Sequence, residues 1–177
     1  MPLFRLRNPA VPVVLLFFLL NSPTLLSAQG AAGCTAPAYR QFDFWVGAWD
    51  VTNPQGKTAG TNRIESILGG CALQEFWTSA AGGDGTSLNM WSAADGKWHQ
   101  VWIDAGGNLL ELVGGLEGQS MVLSSVPRYA AADSGRRVDR ITWTPLEEGK
   151  VRQLWEASTD GGRTWSVQFN GLYVRQR

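Results

Sequence analysis

The sequence has one histidine, His99, and two cysteines, Cys34 and Cys71, among 177 residues. Zinc and iron sites usually recruit several histidine or cysteine ligands, so this shortage argues against a transition-metal centre. A Ser-His-Asp triad would have to use His99, and the residues around it match no known signature of a triad. The glycine-rich segment 80–85 lacks the lysine and the following Ser or Thr of a P-loop. The sequence therefore gives no direct sign of metal, triad or nucleotide chemistry.

Charge is also scarce, with 15 basic and 15 acidic residues making up 17% of the chain. Arg5 and Arg7 precede an apolar run over residues 11–20, and small residues follow up to Ala28. This order predicts a secretory signal peptide over residues 1–28, because the run is too short to span a membrane comfortably. An uncleaved anchor is the alternative. We expect a periplasmic or secreted protein with no membrane span in its mature form.

Loss of Arg5 and Arg7 with the signal peptide would leave the mature chain slightly acidic, at a net charge of about −2. No basic stripe remains, so we expect no nucleic-acid partner. Tryptophan, by contrast, is unusually frequent at nine residues. Buried tryptophan needs a partner for its N–H and often lines pockets, although it also fills cores.

The two cysteines predict a disulfide, because an even pair outside the cytoplasm is usually oxidised. A bridge from Cys34 to Cys71 would contribute on the order of 4 kcal/mol in the chain-entropy model. A second interpretation is open, in which residues 31–34, Ala-Ala-Gly-Cys, form a poor lipoprotein cleavage box. Cys34 would then carry a lipid and Cys71 would stay free.

The strand pattern is clearest over residues 97–104, between two turns. Trp98, Gln100, Trp102 and Asp104 alternate there with His99, Val101 and Ile103. Alternation of this kind predicts an antiparallel strand. About ten such segments follow one another through short turns, and none has sustained helical periodicity. The sequence predicts an all-β fold, a single up-and-down antiparallel barrel over residues 39–177.

Two parts of this barrel can be predicted further. Residues 39–47 place Phe42, Phe44 and Trp45 close together, which predicts a short N-terminal helical plug after a flexible segment 29–38. In the last strand Trp165, Val167, Phe169 and Tyr173 alternate with polar residues and are predicted to point inward. By the same rule His99 points outward.

Several motifs resemble a family of secreted or periplasmic bacterial proteins of unknown function. They are FDFWVGAWDV at 42–51, GTNRIE at 60–65, GCALQE at 70–75, GKWHQVW at 96–102 and RQLWE at 152–156. The resemblance covers essentially the whole mature chain. It implies a lipocalin-like (calycin) β-barrel, more distantly similar to haem-binding nitrobindin, and brings no established activity or catalytic residue. Nitrobindin-type proteins use a late histidine as haem ligand, and none follows His99 here.

Residues 158–165, Ser-Thr-Asp-Gly-Gly-Arg-Thr-Trp, are similar to the Asp-box repeated in sialidases. That motif braces a hairpin away from the catalytic centre. Its aspartate accepts hydrogen bonds from turn amides and its glycines permit the turn. We expect a structural role here too.

The leading hypothesis is a barrel that binds a small, partly apolar ligand, because about ten strands leave room inside. The candidate ligand-binding residues include both aromatic and polar side chains. They are Asn62, Glu75, Trp77, Trp98, Gln100, Trp102, Gln153, Trp155 and Tyr173.

Three alternatives stay open. One is an envelope enzyme that uses Glu75 with Asp104 or Glu156, since two buried carboxyl groups could divide acid and base roles. Another is haem binding through His99, which requires that side chain to point inward; otherwise no cofactor is expected. The last is a filled barrel in which the amides satisfy one another and the tryptophans only pack.

Overall fold

A computed structural model describes residues 33–125, 128–129 and 136–177 of the chain. Ten antiparallel strands form a closed barrel, and a two-residue strand lies at its edge. Neighbours in the barrel are neighbours in sequence, apart from the short strand. The last strand pairs with the first, and the barrel closes there. The predicted all-β, up-and-down barrel is confirmed.

The strands are short and are separated by turns rich in glycine. In chain order they are β1 Gly47–Thr52, β2 Thr58–Ile67, β3 Ala72–Ser79, β4 Gly85–Ser92, β5 Lys97–Asp104, β6 Leu109–Glu117, β7 Ser120–Ser125, β8 Arg128–Tyr129, β9 Arg136–Pro145, β10 Val151–Ser158 and β11 Ser166–Arg175. β8 pairs only with β9, which also pairs with β7 and β10. Polar turns at these positions stop each strand and allow the next to reverse direction.

A plug closes one end of the barrel, as predicted from the aromatic cluster. It consists of two 3-10 turns, Pro37–Arg40 and Asp43–Trp45, placed directly before β1. Phe42 is fully buried and packs on Trp45, Trp98 and Trp143, with ring centroids 4.9, 5.6 and 5.1 Å away. The hydrophobic core is therefore concentrated at this closed end.

Cys34 and Cys71 form a disulfide, with their Cα atoms 4.9 Å apart. The disulfide prediction is confirmed. Because the sulfur of Cys34 is bonded to Cys71, it is not available for a thioether to lipid, which argues against the lipoprotein interpretation. Residues 37 and 38 lie in the first 3-10 turn, so the end of the predicted flexible segment 29–38 has regular structure.

The predicted signal peptide, residues 1–28, lies outside the described residues. Among those that are described, no helix is both long and apolar enough to cross a membrane.

Strand β11 departs from strict alternation near the open end. Trp155 pairs with Phe169, but the next residue of β10, Glu156, pairs with Val167, so Gln168 is an extra residue in β11. A bulge of this kind reverses the faces of the residues beyond it. As a result Val167 is 58% exposed, and Trp165 packs beneath the Arg140 guanidinium on the outer surface. The prediction that Trp165 and Val167 point inward is wrong.

Candidate functional site

A cavity of about 240 Å³ lies inside the barrel, away from the plug. Its lining combines aromatic, aliphatic and amide side chains from seven strands. They are Ala59, Glu75, Trp77, Ser79, Gln100, Trp102, Leu110, Ile141, Gln153, Trp155, Gln168, Phe169 and Tyr173. Ligand pockets for drug-sized molecules usually measure about 300–1,000 Å³, so this cavity suits a smaller molecule.

Aromatic rings surround the upper part of the cavity, near the turns at 80–84, 105–108 and 159–165. Trp77, Trp102, Trp155 and Phe169 are each only partly buried there. Trp77 and Phe169 meet edge to face, with ring centroids 5.7 Å apart. These four side chains, which we call the aromatic rim, border the mouth and present apolar surface to anything that enters.

Glycines on the inner wall make room for two rings of the aromatic rim. The indole of Trp102 lies so close to Gly85 that a Cβ there would stand 2.3 Å from Cζ2. The ring of Phe169 lies over Gly171, where a Cβ would stand 2.6 Å from Cε1. Because glycine has no side chain, these rings can approach the wall this closely, which leaves space for the cavity in the middle of the barrel.

A chain of buried polar side chains, the polar belt, runs below the aromatic rim across six strands. Tyr173 donates a hydrogen bond to Gln153, and Asn62 Nδ2 contacts the Tyr173 hydroxyl at 3.3 Å. Asn62 also donates to Glu75, at 2.7 Å between Nδ2 and Oε1. The belt thus crosses β10, β11, β2 and β3.

On the other side of Glu75 the polar belt continues through β4 and β5. Ser87 Oγ donates to Glu75 Oε2 at 2.6 Å, and Asn89 Nδ2 donates to Ser87 at 2.9 Å. Gln100 Nε2 donates to Asn89 Oδ1 at 2.7 Å. Glu75 is therefore the one ionisable carboxyl in a row of neutral partners, and bonds to neighbouring strands hold it in place.

Burial raises the pKa of Glu75 from 4.5 to about 7, although hydrogen bonds from Ser87 and Asn62 act in the opposite direction. Desolvation dominates because the charged form loses water that two hydrogen bonds do not fully replace. Burial also raises the pKa of Tyr173 well above its ordinary value, with the nearby Glu75 charge adding to the effect. Tyr173 is thus a neutral hydrogen-bonding group, while Glu75 changes charge near neutral pH.

Seven of the nine predicted ligand-binding residues line the cavity: Glu75, Trp77, Gln100, Trp102, Gln153, Trp155 and Tyr173. The other two do not. Asn62 is buried behind the cavity lining, where it links Glu75 to Tyr173. Trp98 points inward as predicted but lies in the core at the closed end, where its N–H donates to Gln41 at 3.1 Å.

The carboxyl groups predicted to act with Glu75 lie elsewhere. Asp104 caps the turn after β5, where its Oδ1 accepts hydrogen bonds from the backbone N–H groups of Gly106 and Asn108 at 2.8 and 3.0 Å. Glu156 pairs with Arg140 at 3.0 Å beyond the bulge, and neither carboxyl lines the cavity. The prediction that Asp104 or Glu156 forms a carboxyl pair with Glu75 is wrong.

His99 faces outward, where its Nε2 lies 2.8 Å from Asp95 Oδ2. The haem alternative needed an inward His99, and the cavity lining includes no histidine. Across residues 33–125, 128–129 and 136–177, no group of three or more His, Cys, Asp or Glu side chains is placed to hold a metal ion.

Two members of the polar belt, Ser87 and Asn89, were not identified from the sequence. Six lining residues were also left out, of which only Phe169 was predicted to point inward: Ala59, Ser79, Leu110, Ile141, Gln168 and Phe169. Ser87 and Asn89 point inward on β4 while Leu88 and Met90 are 53% and 49% exposed, the reverse of the usual arrangement. The signal that could have predicted the inward orientation of Asn89 is the register between β4 and β5, which places Asn89 opposite Gln100. Gln168 was missed because of the bulge in β11.

The Asp-box segment has the local structure that its resemblance implies. Asp160 Oδ1 accepts hydrogen bonds from the backbone N–H groups of Arg163 and Thr164, each at 2.9 Å, and Oδ2 accepts one from the Thr164 hydroxyl at 2.7 Å. These bonds hold the pKa of Asp160 far below its usual range. All of them lie within the β10–β11 turn, so the motif braces a hairpin beside the mouth.

No protein-family model and no curated protein matches this chain.

Proposed function

We propose that this chain is an exported β-barrel protein that binds a small, partly apolar ligand in the cavity. The supporting observation is the cavity itself, a space of about 240 Å³ with an aromatic rim above a polar belt. A mainly apolar wall with a few fixed polar groups is the usual composition of a small-molecule site. Membership of the secreted bacterial family that the motifs resemble belongs to the same proposal.

Export is supported by the disulfide and by the sequence before Ala28. A disulfide persists in oxidising compartments, and the bond between Cys34 and Cys71 is of the kind expected there. Mass spectrometry of protein collected from the periplasm or the medium tests this step. The mature chain should begin after Ala28 and weigh two hydrogens less than its reduced form.

The aromatic rim would supply stacking surface, and Gln100 and Gln153 would orient the ligand from below. Both amides are already held by the polar belt, so little conformational entropy is lost when a ligand binds. The arrangement of these groups before a ligand arrives favours a binding role over simple core filling, because packing alone would not require an open space.

Calorimetric titration with 2-naphthol, a small neutral aromatic alcohol, tests binding. The wild-type protein should bind one molecule, and the Trp102→Ala, Gln153→Ala double variant should lose this binding while keeping its fold. Trp165→Ala is the matched control, because Trp165 packs on Arg140 outside the barrel. Full affinity in the double variant would refute the assignment of Trp102 and Gln153 to the binding site. If 2-naphthol does not bind the wild-type protein, the proposed binding function fails this test. Native mass spectrometry of freshly purified protein should show a natural ligand as additional mass.

A single observation favours enzymatic chemistry as the second candidate. Glu75 lies in a cavity with a pKa raised to about 7, a value suited to proton transfer at neutral pH. It would act alone, since Asp104 and Glu156 are elsewhere. A substrate screen followed by Glu75→Gln tests this candidate: turnover that persists in the variant would exclude Glu75 as the acid or base.

A further inference from the structure

Glu75 has no basic partner among the side chains that contact it. Its carboxyl oxygens accept hydrogen bonds from Asn62 and Ser87, which are both neutral. No ion pair joins Glu75 to a Lys, Arg or His residue in the part of the chain that the structure describes. An ionised carboxylate that is 4% exposed and lacks a counter-ion is costly to bury.

Another buried acid shows what the barrel does elsewhere. Asp139 is also 4% exposed, but Arg137 forms two hydrogen bonds with it, at 2.7 and 3.0 Å, and Trp155 donates a third. Among the described residues the fold therefore provides a cation for Asp139 and none for Glu75. The difference is that Glu75 lines the cavity, where a cation could come from outside.

The arginines that stack on aromatic rings do so away from the cavity lining. Arg63 lies over Phe76, Arg140 over Trp165 and Arg175 over Trp49, at 4.1, 4.0 and 4.4 Å from the ring centroids. None of these arginines or rings lines the cavity. The electron-rich faces within the aromatic rim are thus left for a ligand.

We propose that the ligand is an organic cation, an ammonium group on a small apolar or aromatic body, with its charge against Glu75 and its body within the aromatic rim. This inference rests on the proposed binding function and specifies the ligand class. Aromatic faces attract cations through their quadrupole, and the attraction is larger where water is excluded. Each carboxyl oxygen of Glu75 accepts one hydrogen bond from the protein and keeps a lone pair for an N–H of the ligand.

The cation would compensate the buried charge that the fold leaves unpaired. The side chains facing Glu75 from β2, β4 and β11 are Asn62, Ser87 and Tyr173. Of these only Tyr173 titrates, and its raised pKa keeps it neutral over the useful pH range. On β9, Asp139 is already paired with Arg137. Changes in cation affinity between pH 5 and 8 should therefore report the charge of Glu75.

The test compares benzylammonium with benzyl alcohol, which have nearly the same shape and differ in charge. Benzylammonium, like other alkylammonium ions, stays protonated up to about pH 8. At pH 8 it should bind at least tenfold more tightly than benzyl alcohol. Because the preference for the cation requires ionised Glu75, benzylammonium affinity should fall by up to about tenfold per pH unit below pH 7, toward that of benzyl alcohol. The affinity of benzyl alcohol should stay constant across the same range.

Two variants assign the effect to one carboxyl group. Glu75→Gln should reduce benzylammonium affinity to that of benzyl alcohol and remove its pH dependence. Glu65→Gln removes the same charge from the outer face of β2, where Glu65 pairs with Arg63, and should change neither. If Glu75→Gln does not fold, the wild-type pH series with the two compounds decides the question independently.

The outcomes separate this inference from the proposed function. Equal affinity for benzylammonium and benzyl alcohol at pH 8, together with binding of 2-naphthol, would overturn the cation and leave the binding barrel standing. Absence of binding by all three compounds would overturn both. Preferential, pH-dependent binding of benzylammonium that Glu75→Gln abolishes would support both.

Discussion

Ser87 donates a hydrogen bond from β4 to Glu75 on β3, with 2.6 Å between Oγ and Oε2. The bond holds the carboxyl at the base of the cavity, yet it does not offset the cost of burying the charge. The pKa of Glu75 is accordingly raised from 4.5 to about 7. Between these two values the folded protein holds a proton that the unfolded chain releases.

The first prediction is that Glu75 makes the protein less stable as pH rises. Its stabilising contribution is fully present below pH 4.5 and is lost as pH rises through about 7. The loss relative to the unfolded chain amounts to roughly 3 kcal/mol. The free energy of unfolding of Glu75→Gln minus that of the wild type, measured in urea, should therefore increase by roughly 3 kcal/mol between pH 4.5 and 8. A constant difference across this range would contradict the raised pKa.

The second prediction concerns the space that glycine makes for Trp102. In Gly85→Ala the new Cβ would stand 2.3 Å from Cζ2 of Trp102, so the indole must leave the wall and enter the cavity. We expect 2-naphthol affinity to fall at least tenfold and stability to fall by about 1–3 kcal/mol. Gly115→Ala is the control, because its Cβ would have no heavy atom within 4 Å. Unchanged affinity in Gly85→Ala would show that the ring position is not critical.

Strand alternation predicted which face a side chain occupies, but it carried no information on height along the barrel. Trp98, Trp102 and Asp104 share one face of β5 as predicted. Trp98 lies in the core, Trp102 in the cavity lining and Asp104 at a turn, because they occupy different positions along the barrel axis although they share one face. The position of a residue along the barrel axis depends on the stagger between neighbouring strands. That stagger is set by strand pairing, which the sequence of one strand does not specify.

Two further differences have local physical causes. Gln168 enters the cavity because a bulge inserts one residue into β11, and no proline or glycine at that position signals it. Ser87 and Asn89 point inward because their partners Glu75 and Gln100 lie on adjacent strands. Hydrogen-bond partners distant in sequence decided this orientation, against the preference of Leu88 and Met90 for burial.

The third prediction concerns the disulfide, which closes a sequence separation of 37 residues around the plug. Replacing Cys34 and Cys71 together by serine should lower the free energy of unfolding by about 4 kcal/mol, since the unfolded chain gains conformational freedom. The affinity for 2-naphthol should stay the same, because the disulfide lies at the closed end and the cavity opens at the other. Equal stability of the variant and the oxidised wild type in urea would contradict the prediction.

The fourth prediction distinguishes a brace from a functional residue in the Asp-box segment. Asp160 accepts three bonds from Arg163 and Thr164 and one from the Ser158 hydroxyl. Asp160→Ala removes every acceptor, whereas Asp160→Asn keeps one oxygen, so the melting temperature should fall further in the alanine variant. Both variants should bind 2-naphthol as the wild type does at a temperature where all three are folded. Asp160 does not line the cavity, so a purely structural role predicts unchanged affinity in any folded variant. Reduced 2-naphthol affinity in folded Asp160→Asn would therefore show that this turn takes part in binding.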